Sequence, residues 1–160
     1  MDIIPGTNYK ILQSESYFKY GIDSIILSSF AKMKEGKTII DIGTGVGILA
    51  LRCHYLYKPS YCYAFEIQKP LAKLATKSTQ INKIENIEII NKDIREGFDK
   101  QVDYIITNPP YIEVGRGIEN INPAKHIAFH ESCLNLDDIL SVLIFNNGIW
   151  ESYTIDILNK

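Results

Sequence analysis

The chain has 160 residues, 46% of them hydrophobic, with a net charge of −2 and an isoelectric point near 5.9. That is one domain with enough apolar residues for a core, and it excludes a generally basic, polyanion-binding surface, so any nucleic-acid contact must come from a local patch. No apolar stretch is long enough for a bilayer and no signal peptide is visible; the three cysteines (Cys53, Cys62, Cys133) form no C-x-x-C pair and share no metal-ligand spacing with His54, His126 or His130, so a cytoplasmic protein with reduced thiols and no metal is expected.

In chain order, Pro5-Gly6-Thr7-Asn8 reads as a turn and Tyr9 to Leu12 as a short extended piece. Apolar residues at Ile22, Ile25, Ile26 and Phe30 keep helical spacing and predict a helix to about Met33, which Asp23 or Ser24 would cap. Lys37 to Ile42 is a β-rich strand running into Asp41-Ile42-Gly43-Thr44-Gly45-Val46-Gly47, after which Ile48, Leu49, Leu51 and Leu56 resume helical spacing. A strand, a glycine turn and a helix bring backbone close to a ligand at an open helix N-terminus. A dinucleotide fingerprint needs its third glycine at Ile48. Here it falls one residue early, at Gly47, which argues against NAD and for a nucleoside with no pyrophosphate.

Tyr61 to Phe65 is the next strand and ends at Glu66. An acid roughly 20 positions past the glycine loop, at a strand end, is placed to accept hydrogen bonds from both ribose hydroxyls. Pro70 opens a helix with Leu71, Leu74, Ala75 and Ser78 on one face. Ile87 to Ile90 leads to Asp93 and Ile94; the acid can accept from an adenine amine while Ile94 packs on the ring, or it can serve as a turn residue.

Val102 to Thr107 is a fourth strand, stopped by Asn108-Pro109-Pro110-Tyr111 because prolines have no N–H to donate. Asn108 offers a side-chain carbonyl oxygen, Pro109 a backbone carbonyl that no ladder uses, and Tyr111 a flat aromatic face. Two fixed acceptors beside a ring suit a planar group bearing an NH2: an adenine, a cytosine or a carboxamide. Beyond, Glu113 to Lys125 suits a substrate loop, Asn135 caps a helix through Leu143, and Ile149 to Leu158 reads as a further strand. Alternating strands and helices predict an α/β fold with a parallel, doubly wound sheet: a cap segment over 1–35, a ligand-binding core over 36–148 and a tail over 149–160.

Together, Asp41-to-Gly47 and Asn108-to-Tyr111 resemble the class I S-adenosylmethionine-dependent methyltransferases that act on amines, a Rossmann-like group. Gly21-Ile22-Asp23-Ser24-Ile25-Ile26-Leu27, although interrupted by Ser28, resembles the G-x-D-x-x-L-L segment of a narrower family. These are the bacterial enzymes that methylate the N6 amine of an adenine in the anticodon loop of valine tRNA, and Lys125 to Glu131 is similar to their basic-to-His-Glu segment. The resemblance implies S-adenosylmethionine as cofactor and RNA, above all tRNA, as substrate. It implies that Gly43, Gly45 and Gly47 line the cofactor's methionine and ribose, that Asp41 begins this loop, that Glu66 holds the ribose and Asp93 meets the adenine. The segment of Gly21 and Asp23 would close over the methionine end, while Asn108 and Pro109 grip the target amine and Tyr111 stacks on the base. Two alternatives stand beside this reading: methylation of a glutamine side chain of a protein release factor, and a truncated, inactive cofactor-binding fragment. Such enzymes carry two further strands, so the sheet is expected to lack its last two and to expose a C-terminal segment that is either mobile or pairs with a second copy.

Overall fold

The computed structural model describes residues 1–14 and 20–108. The expectations for Pro109, Tyr111, the loop 113–125, the segment Lys125 to Glu131, the helix at Asn135 and the tail 149–160 lie outside the described residues.

Four parallel strands form the central sheet: β3 (Thr38–Ile42), β4 (Tyr61–Phe65), β5 (Ile87–Ile90) and β6 (Tyr104–Thr107), in the order β5-β4-β3-β6. The chain winds outward from β3 through β4 to β5, then returns to lay β6 on the other side of β3. That reversal is the topological switch point at which open α/β sheets bind ligands. The expected parallel, Rossmann-like α/β sheet is therefore the observed one. A separate antiparallel pair, β1 (Asp2–Ile3) with β2 (Lys10–Ile11), precedes it.

The strands read as near-continuous apolar runs because both faces are covered. Ile39, Cys62, Ala64, Ile87, Tyr104 and Ile106 meet the helices α1 (Ile22–Phe30), α2 (Ile48–Tyr57) and α3 (Lys69–Ile81). Ile40, Ile42 and Phe65 face the other way, against Ile94, Val102 and Phe98. Among the described residues all three helices thus lie on one face. In α3 the buried residues Leu71, Ala72, Ala75 and Ser78 turn inward, leaving Lys69, Lys73 and Lys77 in solvent.

Several boundaries differ from the sequence reading for local reasons. Helix α1 stops at Phe30, short of Met33, because the backbone at Lys32 turns left-handed, with φ 46°. Strand β6 starts at Tyr104, because the carboxylate of Asp103 accepts from the Thr38 amide at 2.8 Å and from Lys37 Nζ at 2.8 Å just below it. A 3-10 turn, Ile94–Glu96, that spacing did not suggest is closed by Asp93 accepting from the Arg95 amide. The N-terminal segment is fixed by side chains: Asn82, the C-cap of α3, bridges the Lys10 backbone amide and carbonyl at 2.8 and 2.6 Å. Buried Arg52 of α2 donates to Pro5 O, to Ser28 Oγ at 2.7 Å and to Ser29 Oγ at 3.0 Å, binding the first turn and α1 to α2.

Candidate functional site

Strand register builds the site. Ile42 is paired with Thr107 on one side and with Phe65 on the other, and Phe65 is paired with Ile90. The residues one step further on, Gly43, Asn108, Glu66 and Asn91, therefore stand in a row along the C-terminal edge of the sheet. The row is stitched across: Thr107 Oγ1 donates to Ile42 O at 2.8 Å, Thr44 N to Phe65 O at 2.8 Å, and Glu66 N to Ile90 O at 3.0 Å.

Asp41 lies beneath the glycine loop and is completely buried. Its Oδ2 accepts from the Thr44 hydroxyl at 2.6 Å and from the Ala50 amide at 3.1 Å, so the acid closes the loop onto the start of α2. Its Oδ1 is buried with no hydrogen-bonding partner among the described residues. Burial pushes this carboxyl up to about 7 against the pull of those two bonds, and the neighbouring charge of Glu66 adds to the rise. Thr44 is a site residue that spacing alone did not single out; the only signal was a hydroxyl three positions after a buried acid.

Above Asp41 the backbone at Gly45 is left-handed, with φ +60°, and a Cβ built at Gly43 or Gly45 would meet nothing within 4 Å among the described residues. The loop thus presents bare backbone to open space at an unblocked helix N-terminus. Gly47 also has a packing role: at φ +92° it caps α2, and a Cβ there would fall 3.2 Å from the Cβ of Ala75. Glu66, 5% exposed, accepts from Gly45 N at 2.8 Å through Oε2 and from Gln68 N at 2.7 Å through Oε1. It ties the glycine loop to the start of α3, and burial raises its pKa despite both bonds. Each carboxylate oxygen has a second lone pair, so the same group can also accept from a vicinal diol. An orphaned buried acid oxygen, an open backbone cradle and a carboxylate at its rim fit a nucleoside.

Asn108 ends β6 with its amide nitrogen donating to Asp23 Oδ2 at 2.6 Å and to Ser24 Oγ at 3.0 Å, contacts that span 85 and 84 residues. The expectation that Asp23 or Ser24 caps α1 is corrected: Gly21 is the N-cap, no side chain caps it, and Asp23 turns to Asn108 instead. Gly21, Asp23 and Asn108 are thus brought together at the edge of the crest.

Asp93 lies two residues past the row. Its carboxylate is gripped by Arg95, with Nη2 at 2.6 Å, and that hydrogen bonding holds its pKa below the ordinary value. The side chain of Ile94 is 2% exposed among Ile42, Phe65 and Val102, so it serves the core. The residue that β5 delivers into the row is Asn91, whose Nδ2 donates to Glu66 O at 2.8 Å and to Ile67 O at 3.0 Å. Among the described residues no group of three or more His, Cys, Asp or Glu is gathered to hold a metal, and no helix is long and apolar enough to cross a membrane.

The methyltransferase small domain family matches residues 15–135. The tRNA1(Val) (adenine(37)-N6)-methyltransferase of Tolumonas auensis is 34% identical over 134 residues, covering 82% of this chain and 56% of that protein. Its namesake from Pseudoalteromonas translucida is 28% identical over 134 residues, covering 83% of this chain and 57% of that protein. The chain thus spans a little over half the length of these relatives. The structure of Trm5 from Methanocaldococcus jannaschii in complex with adenosine is also similar, with a TM-score of 0.50 and 26% identity, covering 59% of this chain and 29% of that one. Sheet order, glycine loop and a family match over most of the length agree: this chain belongs to the methyltransferase small domain family.

Proposed function

We propose that this chain carries the cofactor site and catalytic edge of an S-adenosylmethionine-dependent N-methyltransferase acting on the exocyclic N6 amine of an adenine in RNA, with tRNA the substrate and the cytoplasm its place of action. The observation that carries this reading is the position of Asn108, one residue past the Ile42–Thr107 pair, so that an amide stands beside the glycine loop at the switch point. The relatives' names supply the substrate class: both are tRNA adenine-N6-methyltransferases.

When bound, the cofactor supplies an electrophilic methyl group on a positively charged sulfur. The Gly43-to-Gly47 loop would hold its ribose and methionine part, Glu66 would accept from the ribose hydroxyls, and Asp93 would meet the adenine end. By the same resemblance, Asn108 and the Pro109 carbonyl would accept from the target NH2, and Tyr111 would stack on the base. An aromatic amine is a poor nucleophile because its lone pair is delocalised into the ring. Two acceptors that draw its hydrogens out of the ring plane would localise the pair on nitrogen and aim it at the methyl group that the cofactor would supply, and the proton that the nitrogen gives up would leave to water. A base held in an RNA loop must first turn out of its stack.

The same acceptors suit a carboxamide NH2, so a release-factor glutamine is the second substrate to test. The deciding experiment incubates the purified chain with labelled S-adenosylmethionine and either unmodified bulk tRNA or release factor, and identifies the product by mass spectrometry. N6-methyladenosine in tRNA is the expected product. Label in the glutamine of the release factor, or in an oxygen or carbon acceptor, overturns the reading, and cofactor binding with no transfer identifies an inactive fragment.

A further inference from the structure

An asparagine amide can present its oxygen or its NH2 to a given point by a half-turn about its last torsion. A catalytic role for the oxygen therefore requires neighbours that tell the two ends apart. Asp23 does this, because a carboxylate oxygen that accepts can meet only the NH2 end of the amide, and Asp23 Oδ2 accepts from Asn108 Nδ2. With Oδ2 at 2.6 Å it takes one hydrogen of the Asn108 amide, and Ser24 Oγ, at 3.0 Å, takes the other. Both contacts are made by the NH2 end of the amide, so the nitrogen and not the carbonyl oxygen faces α1.

We infer that Asp23 is a positioning residue, which with Ser24 locks the amide of Asn108 so that its carbonyl oxygen, and never its NH2, meets the target amine. This rests on the reading of Asn108 as an acceptor for that amine. Gly21 is part of the same device. A Cβ at Gly21 would run into Asp23 Oδ1 and lie 3.2 Å from its Cγ, so a glycine two positions earlier lets the carboxylate fold back toward β6. Helix α1 makes no use of Asp23 as a cap, since Gly21 holds that position without side-chain help. Asp23 Oδ1 is buried without a hydrogen-bonding partner among the described residues. The other oxygen of this half-buried carboxylate is committed to the Asn108 amide, and orienting that amide is what the contact achieves.

The test compares the full chain with Asp23→Ala, Asp23→Asn and Gly21→Ala. At saturating tRNA, Asp23→Ala should lower kcat about 10- to 100-fold, the scale of a misplaced reacting group, with cofactor Kd unchanged. Asp23→Asn keeps an acceptor oxygen for Asn108 and should recover most of the rate. Gly21→Ala should resemble Asp23→Ala. A second readout needs no turnover: the side-chain NH2 resonances of Asn108, assigned by their loss in Asn108→Ser, should sit downfield in the native chain and in Asp23→Asn, and collapse toward free-amide values in Asp23→Ala. Those resonances decide the inference even if the native chain methylates no RNA. Unmoved resonances in Asp23→Ala overturn it, as does a loss of rate in that variant matched by an equal loss of cofactor affinity, which would make Asp23 a cofactor ligand.

Discussion

The hydroxyl of Tyr9 lies 2.9 Å from Nδ1 of His54, and the direction of that bond is fixed by a third residue. Asn86 Nδ2 donates to Pro59 O at 2.9 Å, so Asn86 Oδ1 must accept from His54 Nε2 at 2.8 Å. Nε2 therefore carries a proton, and in the neutral form, which burial favours, Nδ1 accepts from Tyr9. Burial lowers the pKa of His54, against the pull of Asn86. Between the lowered folded value and the ordinary 6.5 the unfolded chain binds more protons, so this contribution is complete above pH 6.5 and is lost as pH falls through that window. Thermal melts from pH 7.5 down to 5 should show the advantage of the native chain over His54→Gln shrinking, with both curves sharing the opposite trend that Asp41 imposes. Parallel curves would place the titrating group elsewhere.

Asp41 has the opposite sign. Its carboxyl is raised from 3.8 to about 7, so the folded chain holds a proton that the unfolded chain has lost. Stability from this group is complete below pH 3.8 and declines as pH rises to about 7, by roughly 4 kcal/mol in all. Asp41→Asn cannot ionise yet keeps an acceptor for Thr44 and Ala50. The variant should gain on the native chain as pH rises from 5 to 8, in chemical denaturation at each pH. A constant difference would show that Asp41 ionises in the fold as readily as in water.

Glu66 has two partners already, so its removal acts twice. Glu66→Ala frees the Gly45 amide and deletes the proposed acceptor for the ribose, and cofactor affinity should fall by roughly 1.5–3 kcal/mol. Glu66→Gln, which retains one acceptor oxygen, should lose less. Calorimetry showing native affinity in Glu66→Ala would remove this residue from the ligand site.

Asn108→Ala should abolish transfer while cofactor Kd stays near normal, because the proposed contact of its oxygen is with the target amine. Rapid-quench measurement of a single turnover isolates the step. A native single-turnover rate in the variant would end the assignment.

Much of this architecture was legible because it is local. Tyr61–Phe65 and Ile87–Ile90 are the expected strands to the residue, since β-rich runs bounded by turn residues carry their own limits. The acid-x-G-x-G-x-G loop was legible for the same reason: seven consecutive residues make the whole turn. What was not legible depends on partners distant in sequence. Asp23 reads as a helix cap until β6 brings Asn108 beside it from 85 residues away. Strand β1 has two residues and no periodicity, and the turn after Asp93 depends on Arg95 folding back onto its carboxylate. Ile94 has the composition of a ring-packing residue, but only the packed sheet shows that it fills the core beneath Phe65.

Arg52 joins stability to the proposed chemistry. It is 7% exposed on α2, and its guanidinium reaches Pro5 O, Ser28 Oγ and Ser29 Oγ. A planar fork of donors satisfies these acceptors at once, which a lysine ammonium on a single stem cannot do. Arg52→Leu fills part of the volume and leaves a carbonyl and two hydroxyls short of a donor, at a cost of about 2–4 kcal/mol. The loss should be uneven. In hydrogen exchange, amides of Ile25 to Phe30 should open faster, while those of Ile39 to Asp41 and Cys62 to Ala64, in the middle of the sheet, stay slow. Because α1 carries Asp23 and Ser24 to Asn108, transfer should weaken more than cofactor binding does. Equal slowing of both, with uniform exchange across α1 and the sheet, would mean that Arg52 supports the fold as a whole and has no special hold on the helix that orients Asn108.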